Sequence, residues 1–361
     1  MTTVAMSAEP SDASVYRAKL SGARLSSHNN VHYRVRATYD STAELSDEYF
    51  LTFLDQLTTA SPKNSRVEGS PMVSAPLGTA PEELGFVPGN ESATVMPASF
   101  AADEGAQRLY ILDTAKARIV SYDFGGRRVS ETPLKTRSKT VTDIVVEPGT
   151  GRRYLVDQTE NEIIRWDSSG QTVIENAEVK REPRSMRLAA DGEEVYVRKA
   201  SQGEHAPAVR DMKPVTTQAR ASDAKGGATT DTRNGINVEV GEDELVVADT
   251  CGFDWGHAKR ACSDGSTRGI RVDLPGLVDV RDHVLDLSGQ LWALGGVIDD
   301  STDELTMLLL KIDLLHGTVI AREVDGSVPG DATRQLAPLE SGVVLLEGDN
   351  DSLEFTRYNT L

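Results

Sequence analysis

The sequence is poor in cysteine, in aromatic residues and in long hydrophobic runs. Its 361 residues include 2 cysteines and only 5% aromatic residues. The most apolar stretch, residues 305–315, is interrupted by Lys311 and Asp313 and falls short of the roughly 20 residues that a membrane-spanning helix needs. We therefore expect no membrane span.

Basic residues are also scarce relative to acidic ones. Lysine and arginine number 38 against 56 aspartates and glutamates, which gives a formal net charge of −18. Such a field repels phosphate backbones and anionic lipids, so we expect no nucleic-acid binding and no polybasic membrane attachment. The composition, 39% hydrophobic and 26% charged, is nevertheless typical of a folded globular protein. The sequence also lacks the G-x-S-x-G, H-E-x-x-H and P-loop motifs of common enzymes.

The two cysteines, Cys251 and Cys262, lie in one short segment, CGFDWGHAKRAC. Their spacing predicts a disulfide that closes a long hairpin tip, and a bridge implies an oxidising compartment, so that the protein would be secreted or periplasmic. Two free thiols, with a cytoplasmic location, are the alternative. A metal site with His257 is a third interpretation, but structural zinc needs four ligands and tighter pairs.

The N-terminal third shows three kinds of pattern. Residues 1–30 are rich in serine, alanine and threonine and predict a flexible leader. Residues 31–39 alternate polar and apolar side chains and predict a strand, whereas apolar residues at helical spacing predict an amphipathic helix over 43–58. Prolines and glycines over 61–90 predict a linker. We treat 31–94 as one strand, helix and linker region.

From residue 95 onward the chain repeats itself. LYILDTAKARIVSYD (109–123) matches RYLVDQTENEIIRWD (153–167) at an offset of 44 residues, and looser copies follow around Tyr196, Val246, Trp292 and Val344. Six units of this size, each made of short strands, are typical of propeller blades. We expect the aromatic residues of the repeat to pack between blades, and this set consists of Tyr110, Tyr154, Trp166 and Trp292.

The best-matched units carry P-x-S-F-A-x-D from Pro97 to Asp103, followed by L-Y-I-L-D-x-x-x-x-R-I-x-x-Y-D. This pattern resembles the NHL repeat of six-bladed β-propellers, a broad group that also includes SMP-30-like proteins. The resemblance implies an all-β, six-bladed β-propeller over 95–361 with an N-terminal strand-helix extension. It implies no single chemistry, since the group contains binding modules, lactonase-like hydrolases with a channel calcium, and streptogramin lyases.

Two further features bear on the architecture. The last unit ends after three strands, so we expect an N-terminal strand, either Val31–Tyr39 or a segment near Arg66–Val73, to complete it and bury the open sheet edges. Residues 201–235 contain almost no large apolar side chain and predict a mobile insertion between the third and fourth units.

A polar residue opens the first strand of each unit. In a propeller these strands line the central channel, so the six side chains are expected to form a ring at its mouth and to bind a ligand; they are Ser99, Asp143, Ser185, Asn237, His283 and Gln335. Oxygen ligands suit calcium, so Asp143, Asn237 and Asp282 are the candidate metal ligands. The alternative is that these side chains line a water-filled channel mouth that binds no ligand. Calcium is the one cofactor that the pattern suggests.

Recurring aspartates at the ends of second strands, such as Asp113, Asp157 and Asp249, favour a structural role, because such residues accept hydrogen bonds from the amides of the following turn. The acidic runs 299–304 and 347–352 similarly predict exposed hairpin turns. Two functions follow. The first is an extracytoplasmic, monomeric binding protein for a protein or small-molecule ligand, and the alternative is a cation-dependent hydrolase or lyase acting at the channel mouth.

Overall fold

The structure is a computed structural model. It describes residues 7–9, 12–17, 30–39, 42–52, 56–89, 94–135, 140–167, 170–175, 183–188, 194–199, 205–210, 213–214, 229–231, 236–241, 243–249, 268–286, 288, 290–299, 301–314, 316–324 and 332–360. Throughout these ranges the regular elements are β-strands, and no helix occurs in them. The all-β prediction is confirmed.

In the described residues, the N-terminal region contains eight strands, of which four form two hairpins. The hairpins are β1 (Ser7–Glu9) with β2 (Asp12–Arg17) and β3 (Asn30–Tyr39) with β4 (Thr42–Thr52). The further strands are β5 (Gln56–Ala60), β6 (Lys63–Asn64), β7 (Ser70–Gly78) and β8 (Leu84–Gly85).

The rest of the chain forms six sheets of four or five strands, numbered here in chain order. Sheet 1 contains β9 (Ser99–Asp103), β10 (Arg108–Asp113), β11 (Arg118–Asp123) and β12 (Arg128–Pro133). Sheet 2 contains β13 (Val141–Val146), β14 (Arg153–Asp157), β15 (Glu162–Asp167) and β16 (Gly170–Glu175). Sheet 3 contains β17 (Pro183–Leu188), β18 (Glu194–Lys199), β19 (His205–Arg210) and β20 (Lys213–Pro214).

Sheets 4 to 6 each include strands from the N-terminal region. Sheet 4 contains β21 (Thr229–Asp231), β22 (Ile236–Gly241), β23 (Glu244–Asp249) and β24 (Arg268–Asp273), with β5 at its edge. Sheet 5 contains β25 (Leu277–Leu285), β26 (Leu291–Asp299), β27 (Glu304–Asp313) and β28 (Thr318–Glu323), with β6 at its edge. Sheet 6 contains β29 (Leu336–Pro338), β30 (Val343–Gly348) and β31 (Ser352–Tyr358), followed by β7 and β8.

Sheets 1, 2 and 3 are antiparallel meanders. In sheets 4, 5 and 6 the strands that follow one another in the chain also form antiparallel meanders. The first strands of several sheets contact one another. β9 contacts both β13 and β29, β13 contacts β17, and β25 contacts β29. The sheet that ends the chain therefore lies beside the sheet that begins the repeat, as in a β-propeller. Apolar clusters fill the interfaces; between sheets 6 and 1, for example, the rings of Phe100 and Phe355 meet edge to face at 5.1 Å.

An N-terminal strand completes the last sheet, as expected. Of the two segments considered, the one near Arg66–Val73 overlaps β7, which pairs antiparallel with β31 from Ser70↔Arg357 to Pro76↔Ser352. The segment predicted as a linker thus supplies strands, and β5 and β6 additionally cover the outer edges of sheets 4 and 5 in parallel register. Paired edges are protected from intermolecular strand addition.

The predicted helix over 43–58 is wrong, because this stretch contains β4 and β5. β4 pairs with the correctly predicted strand β3 from Tyr39↔Thr42 to Asn30↔Thr52. A strand needs a partner for its backbone N–H and C=O groups, and this pairing overrides the helical spacing of the apolar residues. The predicted leader, residues 1–30, includes the β1–β2 hairpin, and the predicted insertion, 201–235, includes β19, β20 and β21.

Candidate functional site

Four of the six predicted ring residues have side chains that the structure describes, and all four are buried. Ser99 is 2% exposed, Asp143 0%, His283 6% and Gln335 4%. Ser185 lies on β17 and Asn237 on β22, but their side chains are outside the described residues, so their predicted role is untested. The four described residues therefore sit within the packed interior rather than on an open surface.

Asp143 is the centre of this buried group. Its Oδ1 accepts hydrogen bonds from the Ser99 hydroxyl of sheet 1 and from the N–H of Ile144 at 2.9 Å. Its Oδ2 accepts one from the N–H of Met186 in sheet 3. The carboxylate thus joins the first strands of three neighbouring sheets. Buried carboxylate oxygens need hydrogen-bond donors, because an unpartnered polar group in the interior is costly, and Asp143 has them from all three sheets.

Arg334, which the sequence analysis did not single out, completes the group. It precedes β29 of sheet 6, its side chain is 3% exposed, and its Nη2 lies 2.8 Å from Oδ2 of Asp143. The same Nη2 donates to the carbonyl of Met186 at 2.7 Å. A guanidinium from sheet 6 therefore reaches sheets 2 and 3. In the sequence, Arg334 is marked only by its position directly before the predicted ring residue Gln335. A buried arginine requires a carboxylate partner, and here that partner is Asp143.

Asp282 of sheet 5 repeats the pattern of Asp143. Its Oδ1 accepts from the N–H of the next residue, His283, at 2.9 Å, and its Oδ2 accepts from the N–H groups of Gln335 and Leu336, each at 2.9 Å. Asp282, not His283, is thus the counterpart of Asp143, and the sequence alignment was one residue out of register. Asp143 pairs with Val156 and Asp282 with Leu294, and the turn between the paired strands is one residue shorter in sheet 5 than in sheet 2, which displaced the alignment.

The predicted calcium ligands do not fit a cation in this arrangement. Both oxygens of Asp143 accept protein hydrogen bonds, and the Arg334 guanidinium already neutralises its charge. Asp282 spends both oxygens on backbone N–H groups, and the side chain of Asn237 is outside the described residues. A second positive charge beside Arg334 would be repelled. Among the described side chains no group of three His, Cys, Asp or Glu residues is arranged to hold a metal ion.

A second buried layer joins neighbouring sheets at the far end of the first strands. Asp103, which ends β9, accepts at Oδ1 from the N–H of Gly149 at 3.1 Å in the β13–β14 turn. Asp286, which follows β25, accepts at Oδ2 from the N–H of Gly342 at 2.9 Å in the β29–β30 turn and from the indole of Trp292 at 3.0 Å. Sheets 1 and 2 and sheets 5 and 6 are therefore joined at equivalent places.

The recurring aspartates at the ends of second strands have the structural role that the sequence predicts. Asp113 accepts from the N–H of Lys116 in the following turn at 3.3 Å and also pairs with Arg118 at 2.8 Å. Asp157 accepts from the N–H groups of Thr159 and Glu160, both at 3.2 Å. Asp249 is on β23, and its side chain is outside the described residues.

The two acidic runs are exposed hairpin turns, as predicted. The Asp299 carboxylate accepts from the N–H of Ser301 at 2.7 Å, and that of Asp349 accepts from the N–H of Asp351 at 2.8 Å. Hydrogen bonds to the neighbouring serine lower the pKa of Asp299, and backbone N–H donors in its turn lower the pKa of Asp349. These acidic residues are therefore accounted for by turn formation.

The predicted disulfide remains untested, because Cys251 and Cys262 lie outside the described residues. The prediction of no membrane span agrees with the described part of the chain, in which no helix is long and apolar enough to cross a bilayer.

No protein-family model and no curated protein matches the chain. Solved structures do. Virginiamycin B lyase from Staphylococcus aureus is 10% identical, with a TM-score of 0.39, over 73% of this chain and 95% of that one. The β-propeller domain of Swd1 from Myceliophteria thermophila is 10% identical, with a TM-score of 0.40, over 74% and 86%. A Bacteroides thetaiotaomicron protein of unknown function is 11% identical, with a TM-score of 0.45, over 90% and 82%. Likenesses this distant say nothing about the chemistry of this chain.

Proposed function

We propose that the chain is a six-bladed propeller of the NHL type that acts as a binding protein, with its buried ring locking the sheets together and its ligand bound elsewhere. The observation that carries this proposal is the Asp143–Arg334 pair. Both side chains are almost fully buried and joined at 2.8 Å, and their remaining hydrogen bonds are to the Ser99 hydroxyl, the N–H of Ile144 and the backbone of Met186. Groups committed to one another in this way are poorly placed to bind substrate or to transfer a proton.

Six sheets and six sequence repeats support the number of blades. The extracytoplasmic location and the monomeric state remain parts of the proposal, and the location rests on the predicted Cys251–Cys262 bridge. Intact-mass measurement with thiol alkylation before and after reduction tests that bridge. Alkylation of both thiols in the unreduced native protein would contradict it.

The Asp143–Arg334 lock, meaning this ion pair and the hydrogen bonds by which it joins the sheets, is tested by unfolding measurements on Asp143→Asn, Arg334→Met and the double variant. Removing one partner of a buried ion pair leaves the other without its counter-charge, and we expect each single change to cost about 3 to 5 kcal/mol of unfolding free energy. The double variant should cost less than the sum of the two, because the groups interact directly. Arg127→Met is the matched control: Arg127 also pairs with an aspartate, Asp123, at 3.0 Å, but its side chain is 80% exposed. We expect almost no effect there.

The competing role, cation-dependent chemistry at the ring, is tested by calcium titration in a calorimeter after treatment of the protein with a chelator. We expect no stoichiometric binding at the ring. Stoichiometric binding that is lost in Asp143→Asn, in protein that remains folded, would overturn the proposed function and favour a hydrolase or lyase.

A further inference from the structure

Three hydrogen-bond donors meet at the interface between sheets 1 and 2 without an acceptor. The Arg153 guanidinium of β14 lies over the ring of Tyr110 from β10, 5.2 Å from its centroid, and over the ring of Trp166 from β15, 5.7 Å from its centroid. Nε of Arg153 is buried without a hydrogen-bond partner. Among the described residues, no hydrogen bond joins the Tyr110 hydroxyl or the Trp166 indole to another group, and Arg153 forms no ion pair. All three side chains are half-buried, so a ligand can reach them.

Arg153 departs from the repeat at this position. The equivalent residue in the preceding unit is Leu109, which is fully buried and registers against Tyr122, just as Arg153 registers against Trp166. The buried Leu109 shows that an apolar side chain is enough to fill this position of the repeat. An arginine at the same place introduces a charge whose desolvation lowers its own pKa, and no carboxylate in the described residues pairs with it to offset that cost.

The charge around the cluster is weakly positive. Arg153 and Arg108 both lower the pKa of Tyr110, against a larger increase caused by burial, whereas Asp103 raises it. Counting only these three groups, two guanidiniums and one carboxylate leave a net charge of +1 beside Tyr110, in a protein whose formal charge is −18. A site of this charge suits a monoanion better than a dianion. The planar donor edge of a guanidinium also matches the two oxygens of a carboxylate.

We propose that Arg153, Tyr110 and Trp166 form a binding site for a carboxylate group, held by the guanidinium and flanked by the two aromatic rings. This inference rests on the proposed binding function and assigns it a ligand class. The carboxylate belongs either to a free organic acid or to an acidic side chain of a bound peptide, and both sources present the same two oxygens. The aromatic rings supply apolar contact for the carbon atoms beside the carboxylate.

The test is an NMR titration of the ¹⁵N-labelled full-length protein, observing the indole N–H signals of its 3 tryptophans. Trp166→Phe identifies the Trp166 signal. The probes are sodium acetate, an end-blocked Gly-Glu-Gly peptide and sodium phosphate, with chloride added to keep the ionic strength constant. We expect acetate and the peptide to shift the Trp166 signal saturably, and the other two indole signals to stay in place. Tighter binding of the peptide would identify a peptide partner as the source, and tighter binding of acetate a free acid.

Matched variants separate the site from a general effect of salt. Arg153→Met should abolish the shift, and Arg153→Lys should weaken binding by about tenfold, because lysine keeps the charge but loses the two-pronged donor edge. Tyr110→Phe should weaken it partially. Arg152→Gln, at the neighbouring residue whose own ion pair is with Glu147, should leave it unchanged.

A shift that never saturates, or that persists in Arg153→Met, would overturn the site. Saturable binding of phosphate but not of acetate or the peptide would overturn the carboxylate assignment. Neither outcome affects the Asp143–Arg334 lock, whose test measures unfolding and calcium binding, so failure of this site and failure of the proposed function can be distinguished.

Discussion

The interface between sheets 5 and 6 and the interface between sheets 1 and 2 use the same positions of the repeat but differ in how they use polar groups. In the first, Asp286 accepts from the Gly342 N–H and the Trp292 indole, and Trp292 is fully buried. In the second, Asp103 accepts from the Gly149 N–H, but its buried Oδ2 has no partner among the described residues. The aromatic residue equivalent to Trp292, Tyr110, does not reach it.

The difference shows which part of a repeat is shared and which part varies. The contact from an aspartate to a turn glycine is present in both interfaces, because it depends on backbone N–H groups that the turns supply in either case. Gly149 and Gly342 both have positive φ, at 74° and 110°, which glycine adopts without strain. The side-chain contact depends instead on the identity of the aromatic residue. In the interface that lacks this contact the aromatic residue is Tyr110, which belongs to the proposed site.

The largest expected effect comes from Trp292→Ala. It empties a buried space between sheets 5 and 6, and we expect it to cost about 4 kcal/mol of unfolding free energy, measured by urea denaturation. Trp166→Ala removes the same type of residue from the other interface, where Trp166 lies on the third strand of its sheet rather than the second. Because Trp166 is only half-buried, we expect about half that cost, although the repeat alone predicts a similar cost for both. Equal costs would contradict the contrast between the two interfaces.

Asp286→Ala and Asp103→Ala test the same contrast through the carboxylates. Asp286→Ala leaves the Trp292 indole and the Gly342 N–H without an acceptor, so we expect a loss of about 3 kcal/mol. Asp103→Ala removes backbone contacts at one oxygen, and we expect about 1 to 2 kcal/mol. Thermal unfolding followed by circular dichroism measures both. A larger loss for Asp103→Ala would show that its second oxygen has a partner in solution.

Much of the fold was predictable from the sequence because it depends on a repeated pattern of apolar residues and turns. The matched segments 109–123 and 153–167 form two strands each, and Asp113 and Asp157 accept hydrogen bonds from N–H groups of the following turns, as predicted. The helix prediction over 43–58 was wrong because the pairing partner of β4 was invisible to a local pattern.

The buried ring was predicted only in part. Asp143 and Ser99 were found because a polar residue at the start of a buried strand is unusual. Arg334 was missed because nothing in its neighbourhood indicates that its partner lies 191 positions away in the chain. The alignment of the repeats shows that Arg153 stands where the preceding unit has a leucine. Only the structure shows that Arg153 has no hydrogen-bond acceptor among the described residues.

The smallest effect is a titration, and it tests whether Arg153 faces Tyr110 in solution. Burial raises the pKa of Tyr110 above its usual value of 10.0, and the positive charge of Arg153 counteracts part of that rise. Arg153→Met should therefore raise the pKa of Tyr110 further. Ultraviolet titration of tyrosinate measures this shift, with Tyr110→Phe subtracted in each background because the chain has 9 tyrosines.

The same titration has a consequence for stability. Because the folded state holds the Tyr110 proton more tightly than the unfolded chain, its contribution is fully present below the unfolded pKa of 10.0 and is lost as the pH rises through the higher folded value. Burial also raises the pKa values of Tyr122 and Tyr154, so the unfolding free energy should fall as the pH rises above 10.0. The fall should be shallower in Tyr110→Phe. Identical slopes would show that burial does not raise the pKa of Tyr110. An unchanged or lower pKa of Tyr110 in Arg153→Met would show that Arg153 does not face Tyr110 and would remove the geometry on which the carboxylate site depends.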